Sequence, residues 1–189
     1  MDLLRQAVTG LRLLLVLTVV LGIAYPVVVW GVGQAAFPRQ ADGSTFTSGG
    51  ALAGSTLIGQ TFEGDQWFAP RPSASDYDAQ ASGGSNAGPS DTDLVATIDK
   101  RRAGIAARDG VAADAVPADA VTASGSGLDP FISPAYAAQQ VARVARVRGL
   151  DPVRVADLVR QHTTGRTMGF LGEPRVNVVT LNAALAQPS

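Results

Sequence analysis

The chain has 189 residues, 15 basic and 16 acidic side chains, a net charge of −1 and no cysteine. That balance is neither the basic footprint of a nucleic-acid binder nor an acidic tail, and the missing thiols exclude disulfides, cysteine-ligated zinc and thiol catalysis. Lys100 is the single lysine, so the basic charge is almost all arginine, a compositional bias from which no function is read.

Residues 13–33 carry no charge. A helix over this stretch is about 31 Å long, which matches a hydrocarbon core of roughly 30 Å. Backbone groups find no water in lipid, so a helix is the form open to the segment there. Trp30 lies near the far end, where an indole suits the headgroup region, with Tyr25 one turn earlier. Pro26 is placed to kink the helix. The apolar run exceeds the roughly 7 to 15 residues of a signal peptide, so it reads as an anchor, although Ala35 and Ala36 resemble a weak cleavage site. Arg5 and Arg12 precede the span and Arg39 alone follows closely. This bias predicts a cytoplasmic N-terminus over residues 1–12, a transmembrane helix over 13–33 and an extracytoplasmic domain. The lipid bilayer is thus the first predicted partner.

Residues 34–54 are rich in glycine, serine and threonine and read as a tether. Residues 55–189 are then one ordinary domain, long enough to bury its own core. Residues 57–62 are a candidate strand. Pro70 and Pro72 keep the stretch from Trp67 out of any helix interior, and residues 73–90 read as polar loop. Ser90 or Asp91 can cap a helix to about Arg108, with Leu94, Ile98 and Ile105 on one side and Gly110 ending it. Residues 112–119 read as a linker and 120–122 as a short strand. Ser133 caps the next helix with Pro134 at its first position, and Gly149 stops it after Arg148. Ala137, Val141 and Val144 face one way; Gln139, Arg143 and Arg146 face the other. Asp151 and Pro152 repeat the start, and Val155, Leu158, Val159 and His162 share a face. Residues 178–185 fit a last helix, with 175–180 an alternative strand. The predicted class is α+β: one N-terminal transmembrane helix, then a single extracytoplasmic mixed α/β domain with more helix than strand.

Two loop segments differ from ordinary connectors. One begins at Arg71 and continues to Ser82, Gly83, Gly84, Ser85, Asn86 and Gly88. The other holds Ser124, Gly125, Ser126, Gly127 and Asp129. Glycine lets successive N–H groups converge, and serine and asparagine add hydrogen-bonding groups. Such loops hold an anion or a partner's backbone, or they are tight turns held by their own side chains, the commoner case for an isolated loop. Neither is a phosphate loop, which needs GxxxxGK[ST]; Gly125-Ser126-Gly127 runs into Pro130, which breaks the dinucleotide pattern. Ser124 or Ser126, His162 and an aspartate supply the residue types of a hydrolytic triad. But no GxSxG elbow is present, and a histidine on the apolar side of a helix's last turn reads as packing with a favourable C-terminal charge. One histidine among scattered carboxylates makes no metal site. No catalytic or metal residue is assigned, and a free-standing extracytoplasmic binding module is the remaining rival class.

Taken together, residues 54–60, 71–74, 82–86 with Gly88 and Pro89, 121–134 and 169–178 resemble, in this order, the C subunit of the bacterial Kdp potassium-transporting ATPase. The resemblance runs from the span to Leu185. It departs at Phe131, where many relatives have a polar residue, often histidine, so no role is carried to that side chain. The resemblance implies an accessory, non-catalytic subunit of a high-affinity ATP-driven potassium uptake complex in the bacterial inner membrane. Its partners would be the ATPase subunit and the potassium-channel-like subunit. The family is described as a catalytic chaperone that raises the ATPase subunit's affinity for ATP, and the loop 82–86 is similar to an ATP-cassette signature. The predicted topology puts that loop outside, away from cytosolic ATP, so ATP is attributed to the ATPase subunit and no cofactor to this chain. Arg71, Ser82, Gly83, Gly84, Ser85, Asn86, Gly88, Ser124, Gly125, Ser126, Gly127 and Asp129 are the residues expected to dock the partners, with the two loops side by side. A valine at Gly84 or Gly125 would cost on the order of 1 to 3 kcal/mol wherever the backbone needs φ > 0.

Overall fold

A computed structural model describes residues 2–48 and 51–187. It divides into two units, residues 1–45 and 46–189. The first is dominated by an apolar helix, α1 (Asp2–Val19), a π turn (Val20–Ala24) and α2 (Tyr25–Ala36). These run continuously for 35 residues with a mean hydropathy of 2.5 and nothing buried, long and apolar enough to cross a membrane. The wide turn ends at Ala24, two positions before Pro26, and the Tyr25 N–H reaches back to Val20 O. Proline has no N–H and its ring crowds the preceding turn. A single π turn absorbs that mismatch without breaking the rod. After Phe37 a short helix, α3 (Pro38–Ala41), follows.

The stretch 34–54, expected as a tether, contains regular elements. Besides α3, the stretch holds β1 (Thr45–Ser48) and β2 (Ala51–Ser55), which pair as a two-stranded sheet; residues 49–50 lie outside the described residues. The Gly-rich composition masked a β-capable Thr-Phe-Thr run, which Gly43 at φ +76° introduces. The strand expected at 57–62 is absent. The Ser55 hydroxyl accepts the Leu57 N–H at 3.1 Å and turns the chain out of the sheet.

In the second unit, α4 (Thr92–Asp109) starts at Asp91, whose Oδ1 accepts the Asp93 and Leu94 N–H groups at 2.9 and 3.0 Å. Gly110 at φ +70° ends it. A 3₁₀ turn (Ala113–Ala115) precedes α5 (Ala118–Val121). The strand predicted at 120–122 is not formed. Pro117 instead opens a helical turn, and the Thr122 N–H and hydroxyl both return to Ala118 O. The short strand β3 (Phe131–Ile132) leads into α6 (Pro134–Arg148), capped by Ser133 and stopped by Gly149, and α7 (Pro152–Gln161), capped by Asp151. Next come β4 (Thr163–Thr164), β5 (Arg175–Asn177) and α8 (Val178–Leu185). Residues 175–180 are divided between strand and helix: Asn177 ends the strand and caps the helix, accepting the Thr180 N–H at 3.1 Å. The antiparallel order is β3-β5-β4, with Ile132 and Thr163 flanking Val176. Phe68, Val121, Ile132, Tyr136, Ala137, Val144, Val155, Val176 and Leu181 form the buried core. The domain is mixed α/β with more helix than strand.

Helical periodicity puts Arg143 on the polar face of α6, yet it is buried. Its Nε donates to Asp109 Oδ1 at 2.7 Å, its guanidinium reaches Gln140 Oε1 at 2.7 Å and Trp67 O at 3.0 Å, and it also bonds Asp65 O. Asp109 is buried too and receives Arg108 at 3.0 Å and Gln139 Nε2 at 2.8 Å. Burial alone would raise the Asp109 carboxyl. Hydrogen bonds from Arg108, Gln139 and Arg143 outweigh it and hold the group below the usual carboxylate range. A buried charge persists only when so paired.

Two buried amides complete the frame. Asn182 Oδ1 accepts the Phe68 N–H and its Nδ2 donates to Phe68 O, both at 2.9 Å. Gln140 does the same for Ala69, at 2.7 and 3.2 Å. Prolines 70 and 72 bar this segment from a regular ladder, so side chains supply the partners its buried backbone requires.

Candidate functional site

The two glycine-serine loops lie against each other. Their contact is backbone to backbone. The Gly83 N–H donates to Ser126 O at 2.8 Å, the Ser82 hydroxyl to the same oxygen at 3.0 Å, and the Ser124 N–H to Pro72 O at 3.3 Å. Two glycines permit the approach. A Cβ on Gly84 would stand 3.1 Å from Gly125 O, and one on Gly127 would stand 2.8 Å from Gly83 O. Gly127 also sits at φ +69°. The φ > 0 condition attached to Gly84 and Gly125 is met at neither; Gly125 faces open space and Gly84 is held by proximity alone.

Side chains beneath the loops lock them. Arg71 donates to Thr122 O at 3.4 Å and Ala123 O at 3.3 Å, and pairs with Asp129 Oδ2 at 3.4 Å. Asp129 Oδ1 accepts the Phe131 N–H at 2.9 Å. Arg71 and Asp129 are therefore staples of the loop pair, half-buried and committed to neighbours. Ser73 is a hub that the loop motifs alone do not single out. Its hydroxyl donates to Gly127 O at 2.7 Å and accepts the Ser75 and Tyr77 N–H groups at 3.1 and 3.0 Å. The Tyr77 hydroxyl donates to Arg71 O at 2.6 Å. Burial, reinforced by the Asp129 charge against a smaller opposing effect of Arg71, pushes this phenol well above its ordinary value, so it remains a donor. The sequence signal for this hub is the serine two residues before another serine, a pattern that favours side-chain-to-backbone turns.

Ser82, Ser85, Asn86, Gly88, Gly125 and Ser126 remain exposed; Gly83 and Gly84 are half-buried, and Ser124 and Gly127 are buried. Between the loops and the start of α4 lies a cleft of about 690 Å³, lined among others by Gly84, Asn86, Asp91, Asp93, Arg101 and Ser124. Arg101 donates to Val121 O at 3.1 Å. The surface therefore carries hydroxyls, an amide and the Asp91 and Asp93 carboxylates, with its nearby guanidinium groups bound to carbonyls. It is suited to hydrogen-bond a polypeptide.

Other side chains weighed for chemistry lie apart from this surface. His162 ends α7 and its Nδ1 is 3.0 Å from Thr180 Oγ1; burial lowers its pKa, so the imidazole is neutral near pH 7. Its ring is thus engaged with a threonine on α8 and not with the loop serines. Among the described residues no group of three or more His, Asp or Glu is placed to hold a metal ion. Phe131 lies under the Arg175 guanidinium, 4.3 Å from the ring centroid, a contact set by the register that pairs Phe131 with Asn177.

The model of the family described as KdpC, the K⁺-transporting ATPase c chain, matches residues 7–187. The chain belongs to the KdpC family. It is similar to the protein named potassium-transporting ATPase KdpC subunit of Kineococcus radiotolerans, 58% identical over 186 residues, which is 97% of this chain and 94% of that one. The KdpC subunit of Methylococcus capsulatus is 53% identical over 179 residues, 93% of this chain and 94% of its own. That of Geobacter sulfurreducens is 46% identical over 185 residues, 96% and 97% of the two chains. The match extends through the span, both loops and the segment 169–178 of this KdpC-family chain.

Proposed function

We propose that this chain is an accessory, non-catalytic subunit of a potassium-transporting P-type ATPase complex, and that its paired glycine-serine loops dock the ATPase or channel-like subunit. The apolar helix Asp2–Ala36 anchors it in the bacterial inner membrane, with the N-terminus in the cytoplasm and the domain outside. The family match over residues 7–187 supports membership of such a complex. The observation that carries the docking role is the rigidity of the loop pair. Interlocking hydrogen bonds fix its shape while hydroxyls and amides stay exposed, the preorganised polar surface that protein recognition favours. In this reading any effect on ATP passes through the ATPase subunit. Loop 82–86 lies outside the cell, and the adjacent Arg71 and Arg101 are bonded to carbonyls and offer no cationic cradle for a triphosphate.

The test is co-purification of the chain with the two large subunits from membranes, using Gly125→Val and Asn86→Gly. Both positions are exposed, Gly125 has open space around it, and glycine tolerates the φ of +54° at Asn86, so the domain keeps its fold while the surface changes. Loss of the complex with an unchanged melting curve is the expected result. Normal recovery of the complex from a Gly125→Val, Asn86→Gly double variant overturns the docking role.

A further inference from the structure

The segment between β4 and β5 plays no part in the loop pair and carries a different chemistry. It is a built finger. Thr164 pairs with Arg175 at its base, Thr167 bridges Leu171 through hydrogen bonds of 2.8 and 3.0 Å, and Arg166 closes the stem on Glu173 at 2.8 and 3.1 Å. The chain turns at Met168 and Gly169, both with positive φ. At the tip, Met168, Phe170 and Leu171 are 82%, 69% and 51% exposed. Three large apolar side chains held in water by an ordered stem are unfavourable unless something covers them. At the foot of the finger, Thr163 and Gly165 also line an apolar groove of about 550 Å³ between α6 and α7, which extends the unpartnered apolar surface.

Charge identifies the cover. Residues 46–130 hold eleven acidic and five basic side chains, whereas residues 131–189 hold seven arginines and three acidic side chains. Five of those arginines, at positions 146, 154, 160, 166 and 175, are exposed. Arg175, stacked over Phe131, lies beside the finger, whereas Arg160 is paired with Asp157 and Arg166 with Glu173. An apolar tip on a half of the domain with net positive charge is the combination that inserts into an anionic bilayer surface: the apolar groups enter the headgroup boundary and the excess arginines meet lipid phosphates. The chain's own membrane-spanning helix keeps a bilayer at high effective concentration around the domain, so a weak insertion suffices. We propose that the finger at residues 165–174 is a second membrane contact, dipping Met168, Phe170 and Leu171 into the anionic lipid surface and steadying the domain on the bilayer. This rests on the anchor and is independent of the docking role of the glycine-serine loops.

The absence of cysteine allows a direct test on the full chain. A nitroxide is attached to Phe170→Cys, or to Gln80→Cys in the acidic half as a control, and the protein is placed in nanodiscs of phosphatidylcholine with or without phosphatidylglycerol. Collision with oxygen, which partitions into lipid, is compared with collision with a water-soluble nickel reagent. With phosphatidylglycerol present, position 170 should be shielded from nickel and open to oxygen, while position 80 stays open to nickel. Raising the salt to 1 M, where the screening length falls to about 3 Å, should release the finger. Arg175→Gln should lower the ratio of inserted to water-exposed finger about fivefold, the change that corresponds to about 1 kcal/mol for one basic residue near an anionic surface. Nickel access at position 170 equal to that at position 80 in the anionic nanodiscs overturns the proposal. Shielding of position 170 that arises only when the ATPase and channel-like subunits are added also overturns it, and assigns the finger to a protein partner. Either result leaves the co-purification test of the loops unaffected.

Discussion

Replacing Asp109 with asparagine removes a buried charge and nothing of its size. The carboxylate is the acceptor for Arg143 at 2.7 Å, Arg108 at 3.0 and 3.3 Å, and Gln139 at 2.8 Å. An amide keeps one oxygen and turns the other position into a donor, which faces donors. Arg143, 1% exposed, is then a buried cation without its counter-charge. Breaking one partner of a buried pair costs about 3 to 5 kcal/mol, a large part of the roughly 5 to 15 kcal/mol that stabilises a domain. The expected result for Asp109→Asn is a loss in that range, read from urea unfolding of the full chain in detergent by Trp67 fluorescence in a Trp30→Phe background. The double variant Asp109→Leu, Arg143→Met removes both charges but leaves the carbonyls of Asp65 and Trp67 without their donor. It should lose less than the sum of the single variants, because the cycle isolates the pairing energy. The pH dependence follows from the depressed carboxyl. The unfolded chain, with Asp109 near 3.8, takes up the proton before the folded one does. The stability it contributes is therefore complete above that value and is lost as pH falls through the lower folded one. In Asp109→Asn that acid-induced loss should shrink. A drop under about 1 kcal/mol for the single variant, the level of an exposed pair, would refute the account of the buried cluster.

Further measurements check the remaining readings. Gln80→Cys, exposed and in the domain, should react with a membrane-impermeant thiol reagent in intact cells; reaction only after lysis reverses the assigned orientation. Gly127→Val, at φ +69° and against Gly83 O, should lower domain stability by about 1 to 3 kcal/mol, whereas Gly125→Val should leave the melting curve in place. Equal losses at the two positions would contradict the described packing. Burial lowers the His162 pKa, so the unfolded chain binds its proton first as pH falls below 6.5; this part of the stability declines from there to the folded value and then levels. His162→Gln should flatten that decline in a pH series of melts, and an unchanged slope would show that the imidazole is not desolvated.

The helices were legible because their ends are written locally. Asp91, Ser133 and Asp151 as caps, proline at first positions and Gly110 and Gly149 at the stops need no tertiary information. Arg143 was not legible, since periodicity assigns a charged residue to water and the partner that reverses this, Asp109, is 34 residues away. The strand expected at 57–62 and the helix found at 118–121 fail for a related reason. Short segments take the form their hydrogen-bond partners dictate, and those partners are distant in sequence. At the loops, the glycine and serine pattern marked the right segments. It did not separate Arg71 and Asp129, which bind the loops from beneath, from exposed residues such as Ser85 and Asn86. In the sequence the finger is marked only by its family pattern, because whether Phe170 is core or surface depends on what packs over it.

The buried amides that bracket residues 68 and 69 also set an order of events. Phe68 waits for Asn182, 114 positions later, and Ala69 for Gln140, 71 positions later. A chain synthesised from its N-terminus therefore has no partner for this extended segment until α6 is made, and no complete one until α8 is made. Such long closures slow folding, because the ordering entropy is lost before contacts compensate. The first half of the domain should stay protease-sensitive on a stalled nascent chain and become resistant only when the last helix is released, so that residues far from any docking surface act as the timing signal for the whole domain.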